Sequence, residues 1–143
     1  MRPVLDDGRR TWRLAELENA IDAAAQGLRA TGSRVVATVL DNTPAFVALD
    51  EALLNGGLVH VPLPRFFTLA QMRHALQAAG ADTLVTAASL AARWPGAAWV
   101  PLTVAGEPLM LARLRATPVA LPPGTAKITF TSGTTGAPKG VCL

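Results

Sequence analysis

Cysteine is nearly absent from this chain: Cys142 is the only one, so no disulfide can form within it. Long apolar runs are missing as well. The longest stretches free of Asp, Glu, Lys and Arg are Ala52 to Pro64 and Trp94 to Gly106, 13 residues each, against the roughly 20 that a helix needs to span a bilayer. The N-terminus does not read as a secretory leader, because Arg2, Asp6 and Asp7 precede any apolar run. Together these features point to a soluble, cytoplasmic protein without a membrane span. Charged residues make up only 16% of the 143 and apolar ones 50%. That balance excludes disorder and supplies a packed core of about one domain.

Lysine is scarce too, with only Lys127 and Lys139. The net charge of +3 therefore comes from arginines scattered along the chain, grouped closely only at Arg9, Arg10 and Arg13 and at Arg113 and Arg115. Trp12 is the one aromatic beside such a group, a thin platform for stacking bases. The charge reads as a solvated surface and no nucleic-acid partner is expected.

What is present is an alternation of helical and strand patterns. Leu14, Leu17, Ile21, Ala24 and Leu28 recur at helical spacing, and Gly32 closes that segment. Val35 to Leu40 is a β-branched run read as a buried strand. Asp41-Asn42-Thr43-Pro44 then offers capping side chains ahead of a proline suited to a first helical turn, with Gly56-Gly57 at the far end. Leu58 to Pro62 is the next strand. Thr68 and Gln71 form a capping box for a helix lined by Leu69, Met72 and Leu76 and closed by Gly80. Thr83 to Thr86 is a third strand. Short connections between these elements predict an α/β fold, a parallel sheet with helical crossovers. Beyond it, Val100 to Val104 is a candidate strand and Pro108 to Arg115 a candidate short helix. The expected organisation is an α/β subdomain over residues 1–117 and a stiff proline-rich connector over 118–125. Residues 126–143 would supply a strand, a loop and the start of another strand.

That loop is Thr131-Ser132-Gly133-Thr134-Thr135-Gly136-Ala137-Pro138-Lys139-Gly140. Three glycines, four hydroxyls, a proline and a lysine in ten residues make a poor helix and a poor strand. Glycines let successive backbone N–H groups converge on an anion. Thr131, Ser132, Thr134 and Thr135 can each donate a hydrogen bond, and Lys139 adds a positive charge. Such a set suits a polyphosphate. A surface loop of small residues is the bland alternative, and the lysine placed after a stiffening proline argues against it. The P-loop of NTPases fails residue by residue. Pro138 stands five residues after Gly133, and Lys139 is followed by Gly140 rather than a metal-binding hydroxyl.

The loop is similar to the signature of the adenylate-forming superfamily, Thr-Ser-Gly-Thr-Thr-Gly-x-Pro-Lys-Gly, at every fixed position. That superfamily holds acyl- and aryl-CoA synthetases, peptide-synthetase adenylation domains and luciferases. Trp12 to Leu17, Val35 to Phe46 and Gly57 to Leu63 resemble further family segments, so the likeness covers nearly the whole chain. The fold implied is the N-terminal subdomain of that family. The resemblance implies that Thr131, Ser132, Thr134, Thr135 and Lys139 embrace the β- and γ-phosphates of ATP, with Mg2+ bound alongside, and that Gly133, Gly136 and Gly140 shape the backbone. A carboxylic acid would be activated as an acyl-adenylate with release of pyrophosphate, and a thiol such as coenzyme A would then displace AMP. An acyl- or aryl-CoA ligase, such as those of fatty acid metabolism, is the leading reading. A peptide-synthetase adenylation domain, or a nonenzymatic module binding a phosphorylated ligand or a protein, are the alternatives.

In the family the acid pocket, the adenine contacts and the catalytic lysine follow this loop, whereas the chain stops three residues after Gly140. The expectation is an N-terminal fragment, inactive alone, weak in ATP binding, prone to self-association and without a catalytic residue of its own. Among other residues, His60 reads as a packed core histidine and His74 as a surface one. Asp41 reads as a cap, Asp50 as a helix-surface charge and Cys142 as a small strand residue. No metal held by the protein is expected, since neither histidine has a partner at ligand spacing.

Overall fold

The computed structural model describes residues 3–132 and 137–143. It opens with an antiparallel ribbon, β1 (Pro3–Asp6) and β2 (Thr11–Arg13). Asp7 turns this ribbon: its Oδ1 accepts the backbone N–H groups of Arg9 and Arg10 at 2.8 Å each, and its Oδ2 accepts Trp12 Nε1–H at 3.2 Å. The Arg10 guanidinium lies 3.6 Å from the Trp12 ring centre and pairs with Glu16 at 2.9 Å. Arg10 of the basic cluster is thus engaged locally at the surface.

Helix α1 (Leu14–Thr31) follows at once, with Glu16 Oε1 accepting the backbone N–H of Arg13 and Gly32 in the left-handed conformation at its end. Its inward stripe is Ala20, Ala24 and Leu28, while Leu14 is 47% exposed. The buried face is therefore rotated toward the small residues. The cause is close approach: a Cβ at Gly27 would stand 2.7 Å from Leu102 Cδ1 on a neighbouring strand.

Three strands carry the centre of the fold: β3 (Val35–Val39), β4 (Val59–Pro62) and β5 (Thr83–Ala87), separated by α2 (Pro44–Asn55) and α3 (Leu69–Ala79). β3 pairs in parallel with both others, Val36 lying beside His60 on one side and Thr83 on the other. This is the parallel α/β arrangement expected, and it buries both faces of the sheet. Val36, Leu40 and Val85 pack with α1 and α2. Ala37, Val39, Val61 and Leu84 pack with Phe67 and with Met72, Ala75 and Leu76 of α3. The capping box of α3 forms in both directions between Thr68 and Gln71. The expected side-chain cap of α2 does not, because Thr43 Oγ1 donates to Glu107 Oε2 at 2.7 Å and Asp41 Oδ2 accepts Arg65 Nη1 at 2.6 Å.

The helix expected over Pro108 to Arg115 is instead a strand. β6 (Val100–Val104) and β7 (Glu107–Arg113) form an antiparallel hairpin, and β7 pairs antiparallel with β5. The five strands run in the order β4-β3-β5-β7-β6. Leu109 to Ala112 are good helix formers, but the two-residue turn at Ala105 and Gly106, with φ of +52° and +75°, folds the chain back on itself. Leu109 and Leu111 then both reach the α1 and α2 core, a period of two that overrides propensity.

From Leu114 to Ala126 the chain forms no helix or strand. It crosses Gly80, then rejoins the sheet where Lys127 bridges His60 in parallel and the His60 N–H donates to Ala126 O at 2.9 Å. An antiparallel ribbon follows, β8 (Ile128–Thr131) and β9 (Lys139–Cys142).

Candidate functional site

The β8–β9 ribbon carries the glycine- and hydroxyl-rich motif at its tip. Along β8, Ile128 and Phe130 are buried in the core on the α3 side, while Thr129 and Thr131 are exposed. Pairing sets Phe130 opposite Gly140 and Thr131 opposite Lys139. Directly opposed residues of an antiparallel pair project to one face, so Thr131 and Lys139 leave the ribbon on the same face. Thr131, Ser132, Lys139 and Gly140 are all exposed. Residues 132–138 join the strands, a span of seven, longer than the two to five residues of an ordinary hairpin. Gly133, Thr134, Thr135 and Gly136 lie outside the described residues. Gly140 has a packing role as well: a Cβ there would stand 3.0 Å from Phe130 Cζ and 3.1 Å from Ile128 Cγ2.

At the foot of the ribbon lies a polar cluster that the sequence did not reveal. His60, 1% exposed, has Nε2 2.8 Å from Thr38 Oγ1 and Nδ1 2.7 Å from Asp50 Oδ1. Asp50 also takes Lys127 Nζ, at 2.9 Å to Oδ1 and 3.1 Å to Oδ2. Burial pushes the Asp50 carboxyl up, but the bonds from His60 and Lys127 outweigh it and hold the group below its ordinary value. Burial holds the His60 imidazole below its ordinary value, with the nearby Lys127 charge acting the same way and Asp50 opposing. The pair is therefore a carboxylate and a neutral ring at pH 7, with Nδ1–H donating to Asp50 and Nε2 accepting from Thr38.

The expected core role of His60 is what the structure shows, whereas Asp50 is a half-buried hub and not a free surface charge. The signal available in the sequence was Phe46 and Asp50 at helical spacing on α2; the Phe46 ring lies 5.5 Å from that of His60. His74 and Cys142 are exposed. Phe67 is buried and Phe66 is not. Among the described residues no group of three His, Cys, Asp or Glu is placed to hold a metal, and no helix is long and apolar enough to cross a membrane.

The family model for AMP-binding enzymes matches residues 1–143. The chain belongs to the AMP-binding enzyme family. Its relatives include phosphinothricin tripeptide synthetase PhsC of Streptomyces viridochromogenes, 33% identical over 96% of this chain and 13% of that protein. Another is 4-coumarate–CoA ligase 3 of Oryza sativa subsp. japonica, 32% identical over 99% of this chain and 29% of that protein. The chain thus spans less than a third of the length of either. In three dimensions this AMP-binding chain superposes on the N-terminal subdomain of Klebsiella oxytoca NpsA, solved in complex with 3-hydroxyanthranilyl-AMSN, with a TM-score of 0.68 and 25% identity. That match covers 99% of this chain and 36% of the other.

Proposed function

We propose that the protein activates a carboxylic acid with ATP, and that this chain supplies the loop holding the β- and γ-phosphates. The pairing of Thr131 with Lys139 at the root of a seven-residue loop carries the reading. In support, Thr131 and Lys139, one from each strand, share a face of the ribbon. The motif's hydroxyls and ammonium suit phosphate oxygens, so Thr131, Ser132, Thr134, Thr135 and Lys139 would hold the nucleotide's phosphates, and Mg2+ bound with the nucleotide would supply further neutralisation of their charge. The chain's own part is to orient the departing pyrophosphate for in-line attack on the α-phosphorus and to balance its charge. Lys139 contributes to this through a charge-assisted contact with the phosphate oxygens. Residues 1–117 then serve as the scaffold, 118–125 as the connector and 126–143 as the phosphate-binding ribbon.

In this reading the acyl-adenylate passes to coenzyme A, making the protein an acyl- or aryl-CoA ligase, with the coumarate–CoA ligase relative in support. A carrier-protein thiol is the second acceptor, favoured by the tripeptide synthetase relative. Acid-dependent ATP–pyrophosphate exchange, assayed on the protein translated from the full reading frame, tests activation; adding coenzyme A and following AMP release separates the acceptors. Lys139→Ala should cut exchange by about 10- to 150-fold, the loss of a charge-assisted contact worth about 1.5–3 kcal/mol. Its melting temperature should hardly move, since exposed substitutions change stability by about 0.5 kcal/mol or less. Normal exchange by Lys139→Ala removes the lysine from the site.

A further inference from the structure

The cluster at the foot of β8 joins four pieces of the fold through one carboxylate. Asp50 sits on α2, His60 on β4 and Thr38 on β3, and Lys127 is the residue from which β8 starts. Lys127 is also fixed through its backbone. It bridges His60, its N–H donates to Leu143 O at 3.3 Å, and its carbonyl accepts Leu143 N–H at 2.8 Å. Strand alternation puts Lys127 on the same face of β8 as Thr129 and Thr131, away from the buried Ile128 and Phe130. Thr131 stands four residues along the strand from Lys127, about 13 Å of stiff chain. A shift at the foot is carried along that length to the motif.

We propose that Asp50 is a positioning residue for the phosphate loop, acting through Lys127: it clamps the start of β8 to α2 and β4 and so sets where Thr131 and Ser132 stand. This rests on the reading of the loop as a phosphate site. Two features go beyond an ordinary ion pair. Asp50 engages Lys127 through both oxygens. The same Oδ1 also accepts the hydrogen bond from the buried His60 ring, which is itself held by Thr38 from below. The carboxylate is therefore fixed in orientation before Lys127 meets it, and a fixed acceptor defines one position for the ammonium.

The test is Asp50→Asn, which keeps the shape and loses the charge, alongside Lys127→Met and the double variant. In exchange assays Asp50→Asn should raise the KM for ATP about tenfold, the scale of a modest misplacement, and leave the KM for the acid unchanged. The double variant should be no worse than Lys127→Met alone, as residues sharing one interaction are not additive, and Lys127→Arg should recover most of the affinity for ATP. Additive losses, or equal rises in both KM values, overturn the proposal. Hydrogen exchange over residues 127–131 is the second readout: Asp50→Asn, or Lys127→Met if the former fails to fold, should speed it at least about tenfold and leave α1 unchanged. Unaltered protection there overturns the clamp whatever the enzyme does. A wild-type protein without ATP–pyrophosphate exchange would refute the phosphate reading, and hydrogen exchange alone would then decide the clamp.

Discussion

Gly32 and Gly80 form a matched pair. Both end a helix in the left-handed conformation, with φ of +67° and +65°. They differ in what a methyl group would meet. A Cβ on Gly32 has nothing within 4 Å, whereas one on Gly80 would stand 3.0 Å from Val119 N, 3.1 Å from Thr117 O and 3.1 Å from Val119 Cγ2. Alanine at either site carries the left-handed penalty of about 1–2 kcal/mol. At Gly80 it must also displace the backbone of the connector, and overpacking of that kind costs about 1–3 kcal/mol more. Gly32→Ala should therefore lose about 1–2 kcal/mol and Gly80→Ala about 2–5 kcal/mol, read from urea midpoints at a common slope. The difference between the two, rather than either value, reports the docking of Thr117 to Val119. Equal losses would mean that the connector does not rest on Gly80, and that the path from β7 to the β8–β9 ribbon is wrong.

Acid should weaken the fold early. The folded imidazole of His60 is held below its ordinary 6.5, so the unfolded chain binds that proton first and stability falls as pH drops from about 6.5 through the folded value. Asp50, held below its ordinary 3.8, contributes stability above that pH and loses it on further acidification. Melting temperatures from pH 7.5 to 5 should fall for the wild type and flatten for His60→Gln, and identical slopes would count against the assignment. The 143-residue chain should self-associate through β9, every residue of which is exposed, Val141 at 50%, with Leu143 just beyond it at 65%. Light scattering should give a mass that grows with concentration, and Val141→Lys, a charge on a sheet edge, should return it to monomer; a wild-type monomer at all concentrations refutes this.

The central fold was legible because local signals agreed with one another. Val35 to Val39 is β-branched and apolar enough to be buried on both faces, and the Thr68–Gln71 box fixes the start of α3 from side-chain chemistry alone. Where local and tertiary signals disagreed, the reading failed. Leu109 to Ala112 carry helical propensity, and only the turn at Ala105 and Gly106 and the partner strand β5 make them extended. The stripe of α1 holds at Ala24 and Leu28 and departs from the pattern at its N-terminal end, where Leu14 is exposed and Ala20 is buried. Leucines outweigh alanines in a hydropathy pattern, but helix approach is set by the smallest residues at the contact, here Gly27 against Leu102.

The site divides along the same line. Thr131 to Gly140 stands out directly, because glycines, hydroxyls and a lysine are concentrated in ten consecutive positions. Asp50, His60 and Lys127 are 10 and 67 residues apart in sequence and meet only because β4 lies beside α2 and because the chain returns to that sheet edge after the connector. Each has an ordinary explanation by itself, so no local pattern singles it out. Removing either partner would leave a charge stranded at the sheet edge, whereas an apolar trio of similar volume would pack there without that hazard. The cluster therefore adds less to stability than to geometry, fixing one register for the strand that delivers the loop. That is why the loop stands out in the sequence while the cluster at the foot of its strand does not.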